Sequence, residues 1–534
     1  MLNMDCTSYS LPYGQVGQFS AIILDYLNNV SRIQPFFDHP VSIEGIKQAI
    51  EKRKAFPTDR GLLVDVLQAQ YAGIASSEKV NKNIRDLALE NAFTVVTAHQ
   101  PNIFTGYLYF IYKILHVIKL SDYLNAQLAD HRFIPVFYMG SEDADLEELG
   151  KIFLSGEKIT WDTDQKGAVG RMNTRNLEKI IGRVAGELGV YPFGKELISL
   201  LNECYLQASD IQSATFRLVH ALFESYGLVV LIPDNASLKR SLTHVFEDDL
   251  LHQTPSAVVG QTIEQLSVHY KVQANPREIN LFYLKDNLRE RIVKQDDGWK
   301  VVGEDIRFSE ETLKQELKDH PERFSPNVIL RGLLQETILP NIAFVGGGGE
   351  MAYWLELKAL FAHYTIPFPV LVLRNSFLFV EKSWKQRTAG LGFAVSELFK
   401  EERLLLDELV RRDSVLPLKL DTEITELINL FSRLRDMAGS VDVTLQKHVE
   451  AMETRAKKEL VNLEKKMLRA EKRKFNDQQR QIHAIKNKLF PQNGLQERVE
   501  NFMPYYARYG RDFLALIYDH SPTLEQQFIV VEES

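Results

Sequence analysis

Six short runs in the first 375 residues are almost wholly apolar and rich in β-branched side chains: Thr94–Ala98, Ile134–Met139, Leu228–Ile232, Val328–Arg331, Ile342–Val345 and Val370–Arg374. A strand covered on both faces has this continuous pattern, whereas a strand with one wet face alternates. Helical spacing fills several of the gaps. It predicts helices over Tyr109–Leu124, through Ile111, Ile114, Leu115 and Ile118, and over Met351–Phe361, through Trp354, Leu355 and Leu357. Strand–helix alternation of this kind predicts a doubly wound α/β core. Two stretches break the rhythm. Leu177–Ser225 is helical in pattern, and Ile279–Phe308 reads as strands with polar turns at 285–287 and 295–298. Both are read as insertions, at about 160–225 and 261–325, within a core spanning 1–380.

Beyond Phe379 the period changes. Leu445, Val449, Met452, Ala456, Leu460, Leu463, Met467 and Ala470 follow one another by threes and fours, a heptad seam with one stutter. Ile424–Leu434 supplies an earlier apolar stripe, and the pattern resumes at Ile482, Ile485 and Leu489 before stopping at Pro491. The reading is a helical coiled-coil hairpin over 381–490, projecting from the core or pairing with a second copy, and a segment 491–534 that returns to the junction.

Composition narrows the class. A chain of 534 residues, 45% hydrophobic and 25% charged, is a folded protein of two or three domains rather than a disordered one. The net charge of −8 gives no bulk field for nucleic acid, so such binding is not expected. The hairpin region 440–490 is locally basic, with 13 Lys/Arg against 7 Asp/Glu, which a solvated coiled-coil face also explains. Cys6 and Cys204 cannot build a disulfide framework, and the histidines lack metal-ligand spacing, so no zinc site is expected. The amino terminus lacks a signal-peptide pattern and no long uncharged apolar run occurs, so a soluble cytoplasmic protein without membrane contact is expected.

Three segments resist explanation by packing alone. The first is the loop after the Thr94 run, where His99 could bind phosphate or move a proton and Asn102 could orient a substrate. Helix capping would use the same residues. The second, Gly140-Ser141-Glu142-Asp143-Ala144-Asp145, crowds carboxylates that repel unless a cation sits among them, a substrate ammonium or Mg²⁺. An acidic first helical turn is the plain alternative. The third runs from Arg331 to Glu356. Its strand ends in Gly346, Gly347, Gly348 and Gly349, after which Glu350 opens a helix, and amides so presented suit an anion. Arg331, Glu336 and Asn341 are placed beside this turn as substrate-binding candidates, and Arg374 ends a further strand that could reach it. A hairpin whose ends meet would also gather Trp384, Lys385, Arg498 and Tyr505, a second pocket able to hold a nucleotide, although ordinary junction packing accounts for them too.

These motifs, in this order, resemble the cysteine-adding ligase family of bacillithiol biosynthesis. The similarity is carried by HQPNIFTGYLYFIYKI at 99–114, FYMGSEDAD at 137–145, SPNVILRGLLQETILPNIAFVGGGGEMAYW at 325–354 and LQERVENFMPYYARYG at 495–510, and it covers essentially the whole chain. The family tends to carry EDHD where this chain has Glu142-Asp143-Ala144-Asp145, which moves the candidate histidine to His99. The resemblance implies a Rossmann-like core similar to class I nucleotidyl-transferring synthetases, with inserted connective elements, a carboxy-terminal coiled coil and a homodimer. It implies amide formation between cysteine and the amine of glucosaminyl-malate. A carboxylate is a poor electrophile, so activation is required, and ATP is the expected activator, through an acyl-adenylate or an acyl-phosphate, with Mg²⁺ as a candidate companion ion. Catalytic roles fall on His99, Glu142, Asp143 and Asp145, and anion binding on the glycine turn with Arg331 or Arg374. Two other readings stand beside it: a coiled-coil nucleotide- or RNA-binding protein without ligase chemistry, and a nucleotidyl or aminoacyl transferase.

Overall fold

The computed structural model describes residues 5–416 and 418–534 and divides into two compact units. Residues up to Leu378 form the first, together with Gly494–Val531, and Phe379–Asn493 with Glu532–Ser534 form the second.

The heart of the first unit is a five-stranded sheet. Its strands are β1 (Ala92–His99), β2 (Arg132–Met139), β3 (Val229–Leu231), β4 (Asn341–Gly346) and β5 (Val370–Leu373), in the spatial order β5-β4-β1-β2-β3. Every neighbouring pair is parallel, with Val96 opposite Phe344 and His99 opposite Met139. Parallel strands covered by helices explain the continuous apolar runs, since both faces are buried. Helix α1 (Tyr109–Gln127) carries the chain from β1 to β2, and α3 (Gly348–His363) carries it from β4 to β5. The chain therefore winds away from the β1–β4 pair in opposite directions. In open α/β sheets, the crevice at the carboxyl ends of such a pair is where ligands bind.

One expected strand is a helix. Val328–Arg331 opens α2 (Val328–Ile338), because the Asn327 side chain caps it by accepting the Ile329 N–H at 2.8 Å. Ile329, Leu330, Leu333, Leu334 and Ile338 then face the core at helical spacing. The inserted segments are an antiparallel sheet built on Leu281–Lys285, Leu288–Gln295 and Gly298–Val301, and a helical group with Leu177–Leu188, Gly194–Leu201 and Ile211–Phe223.

In the second unit, helices Asp421–Val441 and Leu445–Lys472 form a hairpin. Asp442 makes its turn, its carboxylate accepting both the amide and the hydroxyl of Thr444 at 2.8 Å. Among the described residues, no helix is long and apolar enough to cross a membrane.

Candidate active site

A cavity of about 640 Å³ opens over the carboxyl ends of the strands. β1 delivers His99 and Gln100, the turn after β2 delivers Gly140 and Asp143, the turn after β4 delivers Gly347–Gly349, and Arg374 follows β5. The antiparallel insertion adds Phe282 and Arg289, and the carboxy-terminal segment adds Arg498.

His99 is held on both ring nitrogens. Nδ1 lies 3.1 Å from the Gln100 carbonyl, which can only accept, so Nδ1 carries the proton. Nε2, 3.2 Å away, then accepts from the Tyr109 hydroxyl. Burial, reinforced by the nearby Lys113 ammonium, pushes the imidazole down to about 4, so the ring is neutral at physiological pH. Lys113 was not singled out by sequence. It sits inside the apolar run of α1, yet its ammonium lies 2.7 and 2.9 Å from the two oxygens of Glu350. Glu350 also accepts the Gly347 N–H at 2.8 Å. Its carboxylate thus braces the glycine turn from behind. Gly347 stands at the start of α3, and a Cβ there would meet Glu350 Oε2 at 3.4 Å and Arg374 Nε at 3.6 Å. The bare turn leaves the first amides of α3 facing the cavity at the positive helix end.

The acidic cluster does not act as one group. Asp143 turns into the cavity and pairs with Arg331 through both oxygens, one contact at 2.9 Å, with Arg289 at 3.4 Å. Burial opposes ionisation, but Arg331 and Arg289 outweigh it and hold this carboxyl below its ordinary range. Glu142 points the other way. It is buried against Lys239, in a network that includes Asp234 and Arg171, whose guanidinium reaches Asp234 at 2.7 Å. Desolvation raises its pKa. Asp145 is exposed and caps a short helix by accepting the Glu148 N–H at 3.0 Å. Among the described residues, no one side-chain cation pairs with all three. Glu148, one turn further on, lines the cavity without a cation partner among the described residues, and burial raises its pKa.

Several other candidates lie outside the cavity. Glu336 is fully buried against Arg53 at 2.7 Å and accepts from Asn341 at 2.7 Å, at the opposite end of the sheet. The pair expected at one site fails because 331 and 336 share a helix, where five residues turn a side chain by about 140°. Asn102 is buried in the turn below β1 and also does not line the cavity. Arg374 does line it, packing 5.0 Å over the Tyr109 ring, but spends its charge on Glu497 at 2.8 Å.

The four residues expected at a second pocket divide between the two units. Arg498 belongs to the cavity just described, whereas Tyr505 stacks on Phe513 at 4.9 Å and donates to Glu500. Trp384 and Lys385 lie in the second unit, where Trp384 carries Arg387 at 4.6 Å and Lys385 pairs with Glu532 at 3.1 Å. Arg498 has no carboxylate within ion-pair distance among the described residues, unlike Arg289, Arg331 and Arg374. Arg498, expected from the sequence at a separate pocket, thus lines this cavity, while Glu497 beside it is committed to Arg374.

The cavity, lined by the glycine turn, four guanidinium groups and Glu148, sits at the switch point of a Rossmann-like sheet. Sequence comparison narrows this. Residues 4–375 match the model for the N-terminal Rossmann-like domain of bacillithiol biosynthesis BshC, and 377–533 match that for its C-terminal coiled-coil domain. The chain belongs to the BshC family. A relative from Flavobacterium johnsoniae named "Putative cysteine ligase BshC" is 39% identical over 99% of both chains. One of the same name from Cytophaga hutchinsonii is 40% identical over 91% of this chain and 92% of its own.

Proposed function

We propose that the protein is an amide-forming ligase that joins the carboxyl group of cysteine to the amine of glucosaminyl-malate, with ATP as the activating substrate. The observation that carries this reading is full-length similarity to proteins named as cysteine ligases, in a chain whose switch-point cavity presents anion-binding groups beside an unpaired carboxylate.

A carboxylate does not react with an amine until one oxygen becomes a leaving group. In the proposed reaction, the cysteine carboxylate attacks a phosphorus of ATP, releasing pyrophosphate or ADP. The sugar amine then attacks the activated carbonyl, a C–N bond forms, and AMP or phosphate departs. The amides of Gly348 and Gly349 and the uncommitted Arg498 suit the phosphate or malate oxygens. Arg331 and Arg289, fixed by Asp143, shape a second cationic wall. The amine must lose a proton to react, and Glu148, whose pKa burial raises, suits that base. Neutral His99 orients the Tyr109 hydroxyl towards its own Nε2 rather than carrying a charge. Mg²⁺ would enter on the nucleotide phosphates, where that ion keeps its waters and few protein ligands.

The reading extends to a pair of chains. The hairpin leaves Leu430, Leu434, Met437, Val441, Leu445 and Met452 exposed, an apolar surface suited to a second copy.

The test is incubation of the protein with glucosaminyl-malate, cysteine and ATP–Mg²⁺, followed by mass spectrometry. Formation of bacillithiol is expected, and AMP or ADP identifies the activated intermediate. Unchanged substrates with unchanged nucleotide would overturn the assignment.

A further inference from the structure

The turn that follows Pro101 is bent against its own stereochemistry. Phe104, Thr105 and Gly106 have φ of 49°, 65° and 63°, three successive left-handed residues of which two carry side chains and one is β-branched. Gly106 is required there, since a Cβ would lie 2.8 Å from that of Asn102. Phe104 and Thr105 have no such excuse. Strain of this kind persists only where the surroundings over-determine it, and it gathers at functional sites.

The surroundings are specific. The Asn501 carboxamide is completely buried and donates through Nδ2 to the carbonyls of Phe104 at 2.9 Å and Gly106 at 2.5 Å. Its own oxygen accepts the Met503 N–H at 2.9 Å, which fixes the direction of the amide. The neighbouring Glu500 carbonyl accepts the Leu108 N–H at 2.7 Å. From the opposite side, the Tyr205 hydroxyl accepts the Phe104 N–H at 2.7 Å. Tyr205 itself lies in a π-helical turn, Asn202–Leu206, a local widening that recurs at functional positions.

What this clamp controls is the start of α1. Tyr109, three residues beyond the turn, touches His99 with its hydroxyl and supports Arg374 with its ring, and Lys113 reaches Glu350 one turn later. We infer that Asn501 is a positioning residue: by holding the left-handed turn Phe104–Gly106, it sets the register of α1 against β1 and so the place of His99, Tyr109 and Arg374 in the cavity. The carboxy-terminal motif is then part of the site. Glu497 fixes Arg374, Arg498 faces the cavity, and Asn501 holds the turn. This assignment rests on the cavity being the active site.

The experiment compares the wild-type chain with Asn501→Ala and with Asn501→Ala/Thr105→Gly, by histidine NMR titration and by ligase turnover. The titration needs no substrate, so it reports on the clamp even if the ligase reading fails. The groups that face His99 are the Lys113 ammonium, the Glu350 carboxylate, the Arg374 guanidinium and the Tyr109 hydroxyl, from α1, α3 and the segment after β5. With the clamp intact, His99 is expected to titrate at about 4. In Asn501→Ala its midpoint is expected to move towards the ordinary histidine value, with turnover reduced about 100-fold, as small displacements of reacting groups allow. Glycine at 105 accepts a left-handed backbone freely, so the double variant is expected to recover the low midpoint and at least tenfold of the turnover. If Asn501→Ala alone does not fold, a double variant that folds with the wild-type His99 midpoint supports the clamp. An unchanged midpoint in folded Asn501→Ala, or a double variant that recovers neither fold nor midpoint, overturns it.

Discussion

The Lys113 ammonium lies 2.7 Å from a carboxylate oxygen of Glu350, and this ion pair joins the two halves of the sheet at their switch point. Lys113 belongs to the β1–α1 half and Glu350 to the β4–α3 half. The lysine side chain is 1% exposed and the glutamate 25%, so removing the cation strands a largely desolvated carboxylate. Lys113→Met is expected to cost roughly 2–3 kcal/mol, less than a fully buried pair because Glu350 can still reach water. Urea denaturation measures it. Lys113→Met/Glu350→Gln should lose less than the sum of the single variants, since the pair is one interaction.

His99 carries the clearest pH signature. Its folded-state value, about 4, lies below that of an exposed histidine at about 6.5. Between those values the unfolded chain binds a proton that the folded chain refuses, so stability rises with pH across the window. The contribution is complete above about 6.5 and is lost as pH falls through about 4. His99→Gln should flatten the pH dependence of urea stability in this window and change little above pH 7. An equally steep slope in the variant would mean that the ring is charged in the folded state.

The five core strands were legible because parallel, doubly covered strands leave an unbroken apolar trace that survives without any alignment. The Val328–Arg331 error has the same root. Val328, Ile329 and Leu330 look like a buried strand, and only the cap at Asn327 and the later spacing of Leu333, Leu334 and Ile338 separate the two. The glycine turn was legible as an anion-binding shape, but the direction of a carboxylate was not. Glu142 and Asp143 are adjacent in sequence and face opposite environments, which depends on Lys239 and Arg331 arriving from distant elements. Lys113 was hidden for a related reason: inside an apolar helix, a lysine shows its partner only when the fold brings α3 to it.

That opposition between Glu142 and Asp143 separates two kinds of damage. Lys239→Met leaves Glu142 buried without its cation and should destabilise the chain by about 3 kcal/mol or more. Arg331→Lys keeps a charge but loses the two-pronged contact with Asp143. It should lower turnover by about 100-fold while thermal stability falls by only a few degrees. Parallel thermal melts and turnover assays distinguish the two. A Lys239→Met protein of wild-type stability would show that the buried network is not structural, and a fully active Arg331→Lys would remove the cavity wall from the reaction.

The hairpin makes the last prediction. Leu430, Leu434, Met437 and Val441 recur by fours and threes along one helix, which places them on a single stripe. Met437 is 66% exposed and Val441 82%, an apolar display that a lone hairpin has no reason to keep. Across the turn, Leu445 and Met452 extend the stripe on the second helix at heptad spacing. Pairing two such stripes buries them, whereas charges placed on them would face one another across a symmetric seam. The wild-type chain is therefore expected to sediment as a dimer at micromolar concentration, and Leu434→Glu/Val441→Glu as a monomer with its helical circular-dichroism signal retained. A wild-type chain that sediments as a monomer, or a double variant that remains dimeric, would assign these apolar residues to some other surface.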